Sequence, residues 1–422
     1  MPILLNLFLL CYTIGIFFFA PLYNIGYYGL ITLILMHYWK EKSLRFFFKK
    51  FNQEYKLWII LAITISMAFV GCFYGIAPKS SAFIIFLRRF LTLLTILIFI
   101  PYFIQNENFI RKIIHLFTLL GMLYCIVSSL HTPHFLRINP IQSSMLIGYI
   151  LSSLSTQILL FSPNISLNIL RFIFFATFLI LFNPQKTGIV ASIASIASIA
   201  SIASIASIAS IASIAKKLFF ICCIILALFC VGAYNHATSN SRLWGWYHTS
   251  FYPSISQGDS STLQRKGMIK QSLYILKTSP FYGNGTASYG SIIKTRNLQW
   301  ISWKCPPILS NRWITNVHPH NDFCHWCIQF GYIGGILFLL FIGYFLIFFL
   351  KAIKTSCLQS FLGLNTVIFF SFCSMCDMML GSSIPQSVFI IGISISIARI
   401  LRVKFFKKNR RHQIFTLQQN TF

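Results

Sequence analysis

The stretch Asn316-Val-His318-Pro-His320-Asn321-Asp322 holds the side chains of this chain best suited to moving a proton. An imidazole titrates near neutrality and can take a proton from a hydroxyl, while a neighbouring amide can orient the ring or a substrate. His320 is therefore read as a general base, with His318 as the second candidate and Asn321 as a substrate contact. The competing reading is structural: interface histidines that cap a helix and meet headgroups. Guanidinium groups offer the complementary chemistry, because their planar donors clamp anions such as pyrophosphate. Arg265 and Arg242 lie upstream in a basic stretch, and the bland account of that stretch is a solvated surface beside anionic lipid.

What is missing narrows the chemistry further. The acids are six, Glu41, Glu54, Glu107, Asp259, Asp322 and Asp377, against 34 Lys and Arg, for a formal charge of +28. Scattered carboxylates exclude a clustered Asp/Glu metal cage, a paired-carboxylate glycosidase and a D-x-D sugar-nucleotide site, and no G-x-x-x-x-G-K-[ST] loop occurs. The reading thus requires no metal and no cofactor, and no nucleic-acid partner is expected. Cys324-His325-Trp326-Cys327 has zinc-compatible spacing beside His318 and His320, and Ile328 rules out haem attachment. Most other cysteines sit in apolar runs, where Cys behaves as a small hydrophobe.

The elements that must position these groups are membrane helices. Of 422 residues, 56% are hydrophobic and 9% charged, with mean hydropathy +0.74, far from an ordinary soluble domain. The predicted fold class is an all-α polytopic membrane protein of about twelve spans, at 4–20, 22–37, 57–76, 82–104, 113–130, 142–161, 165–181, 187–215, 218–233, 327–350, 361–380 and 385–402. Lys/Arg clusters at 39–56, Arg111/Lys112, Lys216/Lys217, Lys351/Lys354 and 402–411 then fall on one side, the cytoplasmic one. The expected organisation is 1–233, the first nine helices; 234–326, a periplasmic loop with the catalytic residues; 327–403, the last three helices; and 404–422, a basic cytoplasmic tail. Arg88 and Arg89 fall inside the fourth span, where they either snorkel to the interface or bind an anion. From Ala191 to Ala215 runs an Ala-Ser-Ile triplet repeat, whose three-residue period drifts by about 60° per unit and specifies no single face. Its triplet number is expected to be variable without loss of activity.

His320-Asn321, nine residues and Gly331-x-x-Gly334 reproduce an H-[NSQ]-x9-G-x-x-G pattern. That pattern resembles the bacterial O-antigen ligases and the related O-antigen polymerases. Arg265-x-x-x-Ile269 and Pro280-Phe281-Tyr-Gly283-x-Gly285 are similar to the family's arginine segment and its P-[LF]-x-G-x-G turn, and Asp377 with Ile384-Pro385 falls where similar ligases carry an Asp and an I-P pair. At the 183–188 corner Lys186 stands where the family often has arginine, keeping the charge but not the planar fork. Arg137 resembles a further polar substrate contact, and its other reading is a basic residue near headgroups.

The resemblance implies a glycosyltransferase C-like fold in the bacterial inner membrane with a periplasmic site. It implies transfer of a glycan from undecaprenyl pyrophosphate to a lipid A-core acceptor, with membrane lipids as surroundings. His320 or His318 would be the base and Arg265 the leaving-group stabiliser, with Asn321, Arg242, Arg137, Lys186 and Asp377 as substrate contacts. Without ATP outside the cytoplasm, the energy must arrive in the donor's own sugar–pyrophosphate bond. An O-antigen polymerase, a lipid-linked-sugar transporter and a scaffold in polysaccharide assembly remain alternatives.

Overall fold

The structure is a computed structural model that describes residues 2–41, 55–130, 140–160, 165–182, 186–205, 221, 224–225, 260–295, 319–354, 357–379 and 382–419. Every regular element among them is helical. In chain order they are α1 (Pro2–Phe17), α2 (Ala20–Glu41), α3 (Tyr55–Tyr74), α4 (Lys79–Gln105), α5 (Glu107–Leu130), α6 (Pro140–Leu160), α7 (Ile165–Thr177), α8 (Lys186–Ile205), α9 (Ser260–Lys277), α10 (Ser288–Thr295), α11 (Asp322–Ala352), α12 (Cys357–Cys376) and α13 (Ser383–Gln419). Helix is the natural outcome for such apolar runs, because lipid offers no partner for an unpaired peptide group.

Seven of the described helices are long and apolar enough to cross a membrane: Lys56–Tyr74, Lys79–Gln105, Glu107–Ser128, Gln142–Leu160, Asp322–Ala352, Leu358–Cys376 and Ser383–Val403. They fall on the spans expected at 57–76, 82–104, 113–130, 142–161, 327–350, 361–380 and 385–402. The expected spans at 4–20 and 165–181 appear as the shorter apolar helices Pro2–Phe17 and Leu167–Ile180, and 22–37 lies within α2; of the span at 187–215 the apolar helix Thr187–Ala203 is seen, while 206–215 lies outside the described residues. Apart from residues 221, 224 and 225, the span at 218–233 lies outside the described residues.

The triplet repeat finds a use for its drifting face. Helix α8 packs on α6 and on α12 at once. Ser192 Oγ donates to Gly148 O at 3.0 Å on the first neighbour, and Ser195 Oγ donates to Asn365 Oδ1 at 2.6 Å on the second. Hydroxyls spread around the helix supply polar contacts to two partners, where a heptad-like stripe would serve one.

Helices α6 and α8 run side by side in the same sense, with Gly188 against Ser144 and Ser192 against Gly148. Gln142 Nε2, at the start of α6, donates to Ser382 Oγ at 2.7 Å, just before α13. The first turns of α6, α8, α11 and α13 therefore share one end of the bundle, and the positive ends of their helix dipoles gather there. At the far end Arg399 Nη2 donates to Glu107 Oε1 at 2.7 Å and Arg402 Nη1 to Glu107 Oε2 at 3.3 Å. From Ser383 to Arg399 along α13 is about 24 Å at about 1.5 Å per residue.

Candidate active site

The site begins with a break in a helix. Helix α11 is interrupted at Phe330 (φ −123°, ψ 16°) and Gly331 (φ 66°, ψ −155°), so the carbonyls of Ile328 and Gln329 lose their intrahelical partners. Segment 280–286 supplies replacements: Asn284 N donates to Ile328 O at 3.0 Å, Gly285 N to Gln329 O at 2.8 Å, and Asn284 Nδ2 to Ile328 O at 3.1 Å. This meets the condition under which broken backbone is tolerated at membrane depth, that other protein groups satisfy it again.

Contact at the break is backbone to backbone. A Cβ on Gly331 would fall 1.7 Å from Phe281 O, and its positive φ already disfavours any side chain. On the other side the turn meets α3, where a Cβ on Gly285 would lie 2.2 Å from Gly75 Cα. There Thr286 N donates to Gly71 O at 3.1 Å and Thr286 Oγ1 to Ala68 O at 2.6 Å. The two glycine motifs of the sequence are thus one structural joint, a turn wedged between α3 and the broken α11.

At the mouth of α11 the polar residues hold one another. Asn321 caps the helix: its Oδ1 accepts from Cys324 N at 2.9 Å, and its Nδ2 donates to Met375 O at 3.0 Å. His320, in the left-handed region at φ 50°, puts Nδ1 2.8 Å from Asp377 Oδ1. Asp377 Oδ1 also accepts from Met378 N at 2.7 Å. A strained φ on a non-glycine residue marks a position that its surroundings over-determine, a feature that clusters at functional sites. Because a carboxylate can only accept, Nδ1 carries the proton and Nε2 is the basic nitrogen.

Asp322 completes the anchoring. Its side chain is buried, and Oδ2 accepts from Ser374 Oγ at 2.8 Å and from Met379 N at 2.7 Å. Three successive residues, His320, Asn321 and Asp322, therefore tie the start of α11 to the end of α12 and the loop that follows it.

Helix α9, which carries Arg265, docks on this assembly. Ile275 of α9, Tyr289, Ile292 and Ile293 of α10, and Ile328 of α11 form a separate small apolar core. Tyr289 OH donates to Gln271 Oε1 at 3.1 Å. Burial pushes its phenol well above the ordinary tyrosine range, with the nearby Cys324 acting in the same direction and a hydrogen bond from Ser272 against it. Arg265 belongs to the first half of α9, three residues before the buried Met268.

Of the residues singled out from sequence, His320, Asn321 and Asp377 meet directly. Arg265 enters on a helix that packs against α11, and Lys186 opens α8 at the same end of the bundle. His318, Arg242 and Arg137 lie outside the described residues. In the structure Asp377 pairs with the imidazole, and Asn321 spends its amide on a cap and on the Met375 carbonyl in the last turn of α12. Asp322 and Asn284 were not anticipated. Asp322 had one available signal, its rarity as one of six acids adjoining the His-Asn pair; Asn284 had none, since its partners are Ser279, Ile328 of α11 and Ile76 just past α3. Cys324 and Cys327 are buried thiols, and among the described residues no three His, Cys, Asp or Glu side chains converge as metal ligands.

Residues 158–339 match a family model described as O-antigen ligase. No curated protein matches the chain. The matched segment contains Lys186, Arg265, the glycine turn, His320, Gly331 and Gly334, while Arg137 and Asp377 lie outside it. Over that segment the chain is similar to the O-antigen ligase family, and seven of its described helices are long and apolar enough to cross a membrane.

Proposed function

We propose that this protein is an O-antigen ligase that moves a glycan from undecaprenyl pyrophosphate to a lipid A-core acceptor on the periplasmic face of the bacterial inner membrane. The observation that carries the reading is the His320–Asp377 pair at the mouth of α11, 2.8 Å apart and locked to the family's glycine joint through the same helix. In this reading His320 Nε2 takes the acceptor hydroxyl proton as the new glycosidic bond forms. The bond between the donor sugar and its pyrophosphate breaks, and the lipid pyrophosphate leaves with the electron pair. Asp377 holds the imidazole in the required tautomer and stabilises the imidazolium, as a buried carboxylate does beside a catalytic histidine. His318 is the second candidate base.

Arg265, with Arg242, Arg137 or Lys186, neutralises charge on the departing pyrophosphate, and the helix N-termini gathered at that end favour the same anion. No step in this scheme calls for a metal or a cofactor. The basic loops at the Glu107 end support a cytoplasmic assignment for that end and a periplasmic one for the site. Segment 234–326 would then be the periplasmic loop that brings Arg265 to His320, and 404–422 the cytoplasmic tail.

The test is reconstitution with lipid-linked glycan and lipid A-core, without metal or nucleotide. Glycan on lipid A supports the ligase; lengthened carrier-linked glycan makes the protein a polymerase; glycan crossing the bilayer with no bond formed makes it a transporter. Arg265→Lys should lower turnover on the order of tenfold despite its retained charge, because lysine lacks the bidentate fork. Wild-type rates in that variant would remove Arg265 from the mechanism.

A further inference from the structure

Helix α4 carries an irregularity that the glycan-transfer scheme leaves unused. Residues Phe86–Phe90, sequence FLRRF, form a π-helical turn inside a membrane-crossing helix. Such one-turn bulges are frequent at functional sites. The two arginines within it diverge: Arg88 is exposed, and Arg89 is half-buried with its guanidinium turned to the first turn of α11, Nη1 lying 3.4 Å from His325 Nε2. His325 in turn contacts Gln329 Nε2, at the edge of the helix break. Gln386 Nε2, in the first turn of α13, donates to Arg89 O at 2.6 Å, so the bulge itself is held from a third helix.

The contact with His325 sets Arg89 beside the first turn of α11, where Asp322 stands three residues before His325, on the same side of the helix. Asp322 is fully buried and its Oδ2 is committed to Ser374 Oγ and Met379 N, on either side of Asp377. A carboxylate buried in such a place is costly unless its surroundings compensate it. Charge inside a membrane span is costly too, and such residues are often functional.

We infer that Arg89 is a positioning residue for the His320–Asp377 pair: through His325 it holds the first turn of α11, and Asp322 in that turn fixes the loop that presents Asp377. Arg89 thereby acts two removes from the reacting atoms and touches neither donor nor acceptor. The inference rests on the proposed transfer reaction only for its kinetic consequence; the coupling from α4 to the loop after α12 is a property of the fold.

The experiment compares wild type, Arg89→Gln, Arg89→Lys, Asp322→Asn and the Arg89→Gln/Asp322→Asn double variant, purified in lipid nanodiscs and gated on monodisperse protein. Two readouts are taken: glycan transfer at varied donor concentration, and amide exchange of the peptide covering 375–379. The expected result is a loss of turnover of about tenfold in Arg89→Gln and in Asp322→Asn, with donor KM held. The double variant should be no worse than either single one, as for residues acting through one interaction. Arg89→Lys should recover part of the loss, and exchange at 375–379 should quicken in step with it.

A raised donor KM with turnover preserved would make Arg89 an anion ligand and overturn the inference, as would losses that multiply in the double variant. Unchanged exchange at 375–379 in folded Arg89→Gln would overturn it as well. If wild type transfers no glycan yet exchange responds as described, the coupling stands and the proposed reaction fails; active wild type with unresponsive exchange has the opposite meaning.

Discussion

At one end of the bundle Glu107 faces Arg399, Arg402 and, at 3.8 Å, Arg111; at the other, Asp322 and Asp377 face serine, histidine and backbone N–H groups. Among the described residues these three carboxylates serve different purposes. Glu107, in the first turn of α5, neutralises a knot of guanidinium groups and complements the helix dipole. It holds helices α5 and α13 together, and its geometry sets no other group in place. Asp322 and Asp377 each spend oxygens on backbone amides, so their position dictates where a loop and an imidazole lie. The contrast teaches that in a chain so poor in acids, charge near the site is used to fix directions, and charge far from it to balance other charge.

The contrast can be broken most sharply at His320. His320→Ala is expected to lower glycan transfer by at least about a hundredfold, the scale of a lost general base, with the protein still in the membrane. Glycan-capped lipopolysaccharide at the normal level in that variant would dissolve the distinction between the two ends. Asp377→Asn comes next: losing a charge-assisted hydrogen bond to the ring should cost turnover about ten- to a hundredfold, read as initial rate in nanodiscs, with donor KM little altered. A loss seen only in donor KM would return Asp377 to the role of a substrate contact.

Gly331→Ala probes the joint without touching any titrating group. A methyl group there meets Phe281 O and a disfavoured φ, and should destabilise the protein by about 1–3 kcal/mol, seen as a lower thermal midpoint and a smaller folded yield. An unshifted midpoint would mean that α11 can straighten at no cost. The smallest effect is expected at the far end. Glu107→Gln should cost about 1 kcal/mol of stability and leave turnover per folded molecule as in wild type, because its partners are partly solvated and form no link to the site. A fall in turnover there would show that the two ends are coupled through α13.

Much of the frame was legible because lipid imposes strict rules. Runs of about 20 apolar residues gave the seven long helices near their observed bounds, and the ordered motifs from Arg265 to Gly334 fall within the segment that matches the family model. The resemblance also named Asp377, but its partner was not evident, since no local pattern links residue 377 to residue 320. Gly331 was visible as half of a G-x-x-G spacing; that it breaks α11 was not, because an isolated glycine in an apolar run is also compatible with an unbroken helix. The replacement partners for the broken backbone come from residues 284 and 285, and sequence spacing carries no information about such pairings. Arg89 was noticed as an awkward charge, yet its direction depends on a π-turn that shifts the helical register, which no periodicity in FLRRF announces.

The plugged gap in α11 also bears on how the molecule is assembled. Segment 280–286 leaves the ribosome before α11, so the piece that completes the gap is already made when the gap is synthesised. Until the two meet, Ile328 and Gln329 have their carbonyls either covered by an unbroken helix or turned toward hydrocarbon. Insertion of α11 and docking of its plug are thus bound into one event, and His320 acquires its left-handed backbone beside Asp377 only in chains that have completed it. A misrouted loop would leave behind a well-inserted but idle protein.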